Sequence, residues 1–242
     1  MQEAKVVVVT GAGSGLGEAI AATFAGQGAT VVRGDIRYEG DRDSRLFLEL
    51  DVTDSSSWED FASCVERRFG PISVLVNNAG VSIRTDLLRT SDEKWDRIIR
   101  TNLWAPWKGI KVFSSQLQQT NGTVINVGSI YGETVPPMTG ELPASVAYQV
   151  SKAGLHRLTK VAAVELATMG IRVNAVMPGV FRTPLLEDLP DSEARLRIAG
   201  APMNRAGQVQ ELAAAVAFLA SNESSFVTGA LLPVDGGYLA AS

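Results

Sequence analysis

Three residues near the middle of the chain, Ser129, Tyr148 and Lys152, have types and spacing suited to moving a proton. Tyr148 and Lys152 stand four apart in VAYQVSK, and on a helix that spacing stacks two side chains one turn apart on one face. An ammonium beside a phenol favours the phenolate, because opposite charge stabilises the ionised form. A free phenol titrates near 10, and bringing it to about 7 takes roughly 4 kcal/mol of preferential stabilisation of the anion. A tyrosine so tuned can take a proton from an alcohol or return one to a ketone. Ser129, at the end of a predicted strand, could hold the oxygen involved by hydrogen bonding. A tyrosine opening a helix, with a solvated lysine one turn on, is the rival reading, and the spacing alone does not choose between them.

Such a trio needs a scaffold, and the chain supplies an alternation of strands and helices along its whole length. Residues 5–10, KVVVVT, form a β-branched run without alternation, as expected of a strand buried on both faces. Further strands are expected at 29–35, 46–50, 72–76, 123–127, 171–176 and 230–234. Helices are expected at 55–69, 91–118, from Tyr148 to about Met169 with Gly170 as its cap, and 208–221. This pattern predicts an α/β fold: a single-domain, Rossmann-type doubly wound parallel β-sheet of about seven strands, with helices on both faces, spanning residues 1–242. Residues 185–207, irregular in composition with prolines at 190 and 202, read as a mobile lid over substrate.

Gly11-Ala12-Gly13-Ser14-Gly15-Leu16-Gly17 separates the first strand from a helix closed by Gly28. Strand, glycine-rich turn and helix are the context in which backbone N–H groups and a helix N-terminus cradle a pyrophosphate. Asp35 ends the second strand 18 residues after Gly17. An acid so placed can accept hydrogen bonds from the ribose of NAD and repels a 2′-phosphate. Arg33 and Arg37 flank it, and an arginine can pair with that phosphate, so NAD is favoured and NADP stays open.

Composition narrows the partners. The 242 residues are 45% hydrophobic with a net charge of −4, and the arginines are scattered, so no basic stripe invites nucleic acid. Cys64 and His156 are the only cysteine and the only histidine, which excludes an internal disulfide and gives a metal site no support. His156 is expected on a helix surface one turn after Lys152. The N-terminal residues lack a signal-like apolar region, and no run approaches a membrane span, so a cytoplasmic protein without membrane contact is expected.

The glycines at 11, 15 and 17 spell TGxxxGxG, and together with the YxxxK of Tyr148 and Lys152 this resembles the classical short-chain dehydrogenase/reductase family. The resemblance implies an NAD(H)-dependent oxidoreductase that interconverts a secondary alcohol and a ketone on a small molecule, such as a diol, polyol or hydroxysteroid. It assigns Tyr148 as acid/base, Lys152 as its tuner and ribose ligand, Ser129 as substrate holder and Asn102 as the holder of a proton-relay water. Cofactor contacts are implied at Gly11, Ser14, Gly15, Leu16, Gly17, Asp35 and Ile36, and at Asp51 and Val52 beside the adenine. They are implied also at Asn78, Ala79 and Gly80 of the NNAG motif, and at Pro178, Gly179, Val180 and Thr183 of PGxxxT. For Asp51, capping of the helix at 55–69 is the alternative. Ser82, Ser129, Tyr131 and Leu185 are expected at the substrate, with a long Ser129 to Tyr148 loop beside them. A homotetramer, or a homodimer, built on the helices carrying Asn102 and Tyr148 is implied. An NADPH-dependent reductase of 3-oxoacyl chains on a carrier protein is the nearest alternative, and a cofactor-binding regulator without turnover a remote one.

Overall fold

The computed structural model describes residues 5–36, 46–136, 145–183, 186 and 190–242. The valine run becomes β1 (Val6–Thr10), buried along its full length. Side chains of a strand alternate between its faces, and here each face meets a core. Val6 and Val8 pack with Trp58, Phe61 and Phe113, whereas Val7 and Val9 pack with Ile20, Phe24, Leu212 and Val216. An unbroken apolar run is what a strand covered on both sides requires.

Six strands join it: β2 (Thr30–Asp35), β3 (Phe47–Glu49), β4 (Val74–Asn77), β5 (Thr123–Val127), β6 (Arg172–Pro178) and β7 (Leu231–Val234). They form a seven-stranded sheet in the order β3-β2-β1-β4-β5-β6-β7, parallel at every pairing. Val7 pairs with Val31 of β2 on one side and Val74 of β4 on the other. The order reverses between β1 and β4, so the loops leaving those strands part and open a crevice at their carboxyl ends, where doubly wound sheets bind ligands.

One face is covered by α1 (Gly15–Gly26) and α7 (Val209–Ala220), the other by α2 (Ser55–Phe69), α4 (Ala105–Gln119) and α5 (Val146–Leu166). The predicted helix at 91–118 is three pieces in one path: α3 (Asp92–Ile99), a π-helical turn (Arg100–Trp104) and α4. The segment expected to be an irregular lid contains α6 (Asp191–Ala199). Asp191 and Glu193 in its first turn suit the positive end of a helix dipole. A short α8 (Tyr238–Ala241) closes the chain.

The cap of α2 also differs from expectation. Asp54, not Asp51, accepts the Ser57 N–H at 2.7 Å. Asp51 instead accepts from the N–H and hydroxyl of Thr53 at 2.8 and 2.7 Å, so its carboxylate shapes the turn before the helix. Gly70 and Gly170 follow α2 and the α5 path with positive φ of 82° and 74°, which glycine adopts without a Cβ penalty, Gly170 as a left-handed cap.

Phe113 is fully buried and lies edge-on to Phe61 at 6.2 Å, and Phe61 lies edge-on to Trp58 at 6.5 Å. This aromatic trio joins α2 and α4 to the sheet. Phe113→Ala is expected to cost about 3–5 kcal/mol through lost burial and a residual cavity, read as a lowered urea midpoint. A change below about 1 kcal/mol would show that the trio is not the core of that face.

Candidate active site

The turn after β1 is shaped by close backbone approach. Gly11 and Gly15 have φ of 64° and 59°. A Cβ on Gly17 would lie 2.1 Å from the Gly11 carbonyl oxygen, and one on Gly11 would lie 2.8 Å from Ala79 Cα. Thr10 and Asn78 then stitch the β1 and β4 loops together. The N–H groups of Asn78 and Ala79 donate to Thr10 Oγ1 at 3.0 and 3.1 Å. Asn78 Nδ2 donates to the carbonyls of Thr10 and Gly11 at 2.9 and 3.0 Å. Ser14 caps α1 without a side-chain hydrogen bond, so its hydroxyl does not occupy the N–H groups of the first turn. At the end of β2, Asp35 Oδ2 accepts the Gly13 N–H at 2.9 Å, which turns the carboxylate onto the glycine loop. A cradle without room for Cβ atoms, beside an acid at a strand end, fits a dinucleotide.

The remaining expected contacts vary in placement. Ile36 is 59% exposed next to Asp35. Val52 packs at the edge of the core and its carbonyl accepts Trp58 Nε1–H at 2.9 Å, while Asp51 is exposed.

The proton-transfer residues converge from β5 and α5. Lys152, 4% exposed, donates from Nζ to the Val127 carbonyl at 2.7 Å and lies 5.7 Å from the centre of the Tyr148 ring. Ser129 is buried two residues beyond Val127; its Oγ accepts the Tyr131 N–H at 3.1 Å, and the side chain also hydrogen-bonds Tyr148. Asn102 sits in the π-helical turn, fully buried. Its Oδ1 accepts the Val81 N–H at 2.8 Å, and its Nδ2 donates to the Val81 carbonyl and Ser151 Oγ at 2.9 and 3.1 Å. Both amide hydrogens are thus engaged, so the side chain ties the β4 loop to α5. A relay water would have to use the backbone that the π turn distorts.

Ser129, Tyr148 and Lys152 line one cavity of about 240 Å³, and Asn102 is not among its lining residues. Its lining joins Leu16, Asn78 and Gly80 to Ser129, Tyr148 and Lys152, and to Pro178, Gly179, Val180 and Thr183 beyond β6. Ser82, Arg84 and Tyr131 line it as well, whereas Leu185 and residues 137–144 of the excursion before α5 lie outside the described residues.

A family model described as enoyl-(acyl carrier protein) reductase matches residues 11–239. The chain is 40% identical over 252 residues to a 3-oxoacyl-(acyl-carrier-protein) reductase of Thermotoga maritima, covering 97% of this chain and 98% of that one. It is 37% identical over 251 residues to a cyclopentanol dehydrogenase of a Comamonas species, covering 98% and 97% of the two chains. The ligand-free structure of Thermoplasma acidophilum aldohexose dehydrogenase superposes with a TM-score of 0.88 at 34% identity, covering 98% of this chain and 94% of that one. The chain belongs to the short-chain dehydrogenase/reductase family. It is therefore an NAD(P)-dependent oxidoreductase acting on CH–OH groups. Among the described residues no helix is long and apolar enough to cross a membrane, and no cluster of His, Cys, Asp and Glu could hold a metal.

Two residues of this short-chain dehydrogenase/reductase escaped the sequence reading. Arg197, on α6, lines the cavity, lies over the Tyr131 ring at 5.6 Å and donates from Nε to Glu193 Oε1 at 2.8 Å. Its only sequence signal was the Glu-to-Arg spacing of four behind an acidic helix start. His156, expected on a helix surface, is only 3% exposed, with Nδ1 2.7 Å from Glu133 Oε1. The α5 helix is buried on more than one side, so the turn after Lys152 faces protein.

In the protein alone, burial dominates the electrostatics of both groups. Burial pushes the Tyr148 phenol above its ordinary value, while the Ser129 hydrogen bond and the Arg197 charge pull the other way. Lys152, the expected tuner, is itself pulled down to about 8 by burial. Burial thus opposes both charged forms at once. An unfolded lysine holds its proton to about 10.4, so between pH 8 and 10 the unfolded chain binds more protons at this site, and stability must rise with pH there. Above pH 10 the raised Tyr148 pKa reverses the trend. Calorimetry should show a gain in midpoint from pH 8 to 9.5 that Lys152→Met abolishes; an equal gain in the variant would place its origin elsewhere.

Proposed function

We propose that the protein interconverts a secondary alcohol, of diol, polyol or hydroxysteroid type, and the corresponding ketone with NAD(H). The observation that carries this reading is the meeting of Ser129, Tyr148 and Lys152 on one cavity wall, beside a glycine cradle that ends at Asp35. Gly11, Gly15 and Gly17 would admit the pyrophosphate, Asp35 the adenosine ribose, Lys152 the nicotinamide ribose, and Pro178, Gly179, Val180 and Thr183 the nicotinamide end. The bound nicotinamide supplies or accepts the hydride. Ser129 holds the substrate oxygen, and Tyr148 takes the hydroxyl proton on oxidation or returns it on reduction. Asn102 fixes the π turn beside Ser151 on α5, which keeps Lys152 in register with Tyr148. We infer in addition a single domain over the whole chain, a cytoplasmic location and a homotetramer or homodimer.

Removing the phenol tests the acid/base role. Tyr148→Phe is expected to lower kcat by about 10²–10⁴-fold with dinucleotide affinity retained, as measured by fluorescence titration and initial rates. A variant with an unchanged rate and pH profile would remove Tyr148 from the mechanism.

A second reading, an NADPH-dependent 3-oxoacyl reductase, draws support from the 40% identity to the Thermotoga maritima reductase. The Asp35 carboxylate facing the glycine loop speaks against it, since an anion there opposes a 2′-phosphate. Initial rates with NAD and NADP against cyclopentanol, aldohexoses, diols and hydroxysteroids separate the two. Turnover with NAD is expected, and Asp35→Ser should lower kcat/KM for NAD by about tenfold, or roughly 1.4 kcal/mol. Preference for NADP by the unmodified protein would favour the reductase reading.

A further inference from the structure

His156 is the chain's one histidine, and it is buried against the turn that carries Ser129. A Cβ on Gly128 would meet Nε2 at 2.4 Å, and one on Gly132 would meet Cε1 at 2.5 Å. The ring therefore fills a notch formed by the residue before Ser129 and the end of the helical turn after it. Its two nitrogens face different partners. Nδ1 lies 2.7 Å from the Glu133 carboxylate, and the Ser129 backbone N–H is directed at Nε2 at 3.5 Å.

These partners define the tautomer. An ionised carboxylate only accepts, so Nδ1 carries the hydrogen; a backbone N–H only donates, so Nε2 must offer its lone pair. A second proton on Nε2 would set one donor against another and remove the acceptor that holds the Ser129 backbone. We infer that His156 and Glu133 form a positioning pair that holds Ser129 in place for proton transfer only while the imidazole is neutral, a reading that rests on the role proposed above for Ser129.

The charges around the ring agree with that state. Burial is the largest influence and disfavours the imidazolium, the Lys152 and Lys160 ammoniums on the same helix add to it, and Glu133 from the facing turn opposes it; the outcome is a titration below the ordinary 6.5. Since Lys152 lies one turn before His156 on α5, the same helix sets both the ammonium beside Tyr148 and the acceptor behind Ser129.

A single histidine makes the test direct. Long-range proton–nitrogen NMR of the untagged full chain should show hydrogen on Nδ1 and a bare Nε2 at pH 7.5. On acidification the ring should titrate below pH 6.5, and the Ser129 amide proton should follow the same midpoint. Glu133→Gln should lower that midpoint further, because a favourable charge is lost. A hydrogen on Nε2, or a Ser129 amide that ignores the ring, overturns the inference. In turnover, His156→Leu should lower kcat about tenfold with the KM for NAD changed less than about twofold. His156→Gln, whose amide oxygen can accept from Ser129, should restore most of the rate. Assayed on the best alcohol of the panel above, both variants matching the parent while Tyr148→Phe is inactive would sink the positioning pair alone. An active Tyr148→Phe would sink the proton-transfer reading and leave the NMR result standing.

Discussion

The bond from Lys152 Nζ to the carbonyl of Val127 places a cation at the carboxyl end of a central strand, almost out of contact with water. Removing an ammonium from water is costly unless it is held by oriented acceptors, and the position of α5 on the sheet is what supplies one. Once that helix is seated, one turn back brings Tyr148 to the cavity and one turn on brings His156 behind Ser129. The Asn102 amide reaches the same helix through Ser151 Oγ, so the π turn between α3 and α4 is held against α5 as well. Sheet register, helix placement and the chemistry of the site are therefore one constraint seen at three scales.

That constraint has an electrostatic consequence. Burial raises the proton affinity of the phenol and lowers that of the ammonium, so the protein alone holds both groups nearer their neutral forms than isolated side chains would be. A positive charge nearby reverses this preference for the phenol and reinforces it for the ammonium. The cavity is thus arranged so that a cationic ring beside Tyr148 and Lys152 matters more than it would in water, where the same charge would be screened. Arg197 already acts on Tyr148 in this sense, and it arrives on α6.

Local patterns carried most of the scaffold. The β-branched run at 6–10, the glycines at 11, 15 and 17, and the tyrosine and lysine four apart each depend on near neighbours in the chain, so spacing alone made them legible. What spacing could not show was decided by distant partners. Asp54 and Asp51 are equally good caps by composition, and only the turn held by Thr53 separates them. His156 looked like a surface residue because nothing near it in sequence announces the notch between Gly128 and Gly132. The Asn102 side chain reaches Val81 and Ser151, 21 and 49 residues away, and nothing near it in sequence announces either partner. Residues 185–207 looked irregular because two prolines punctuate them, although Asp191 and Glu193 in the first turn and Arg197 in the last complement the dipole of the helix between those prolines.

Substrate choice is a separate matter from this shared machinery, because a fold hosts many chemistries and the site decides among them. The wall formed by Ser129, Tyr148 and Lys152 addresses only the reacting carbon and its oxygen. Arg84, Tyr131 and Arg197 line the same cavity, and the Arg197 charge is already joined to Glu193. A guanidinium balanced in this way has less to gain from a full negative charge than an isolated one, while its remaining N–H groups still donate to a neutral oxygen. Tyr131 packs under Arg197 and edge-on to Tyr238 at 6.2 Å, and burial pushes its phenol up to about 12, so it meets the cavity as a neutral hydroxyl at ordinary pH.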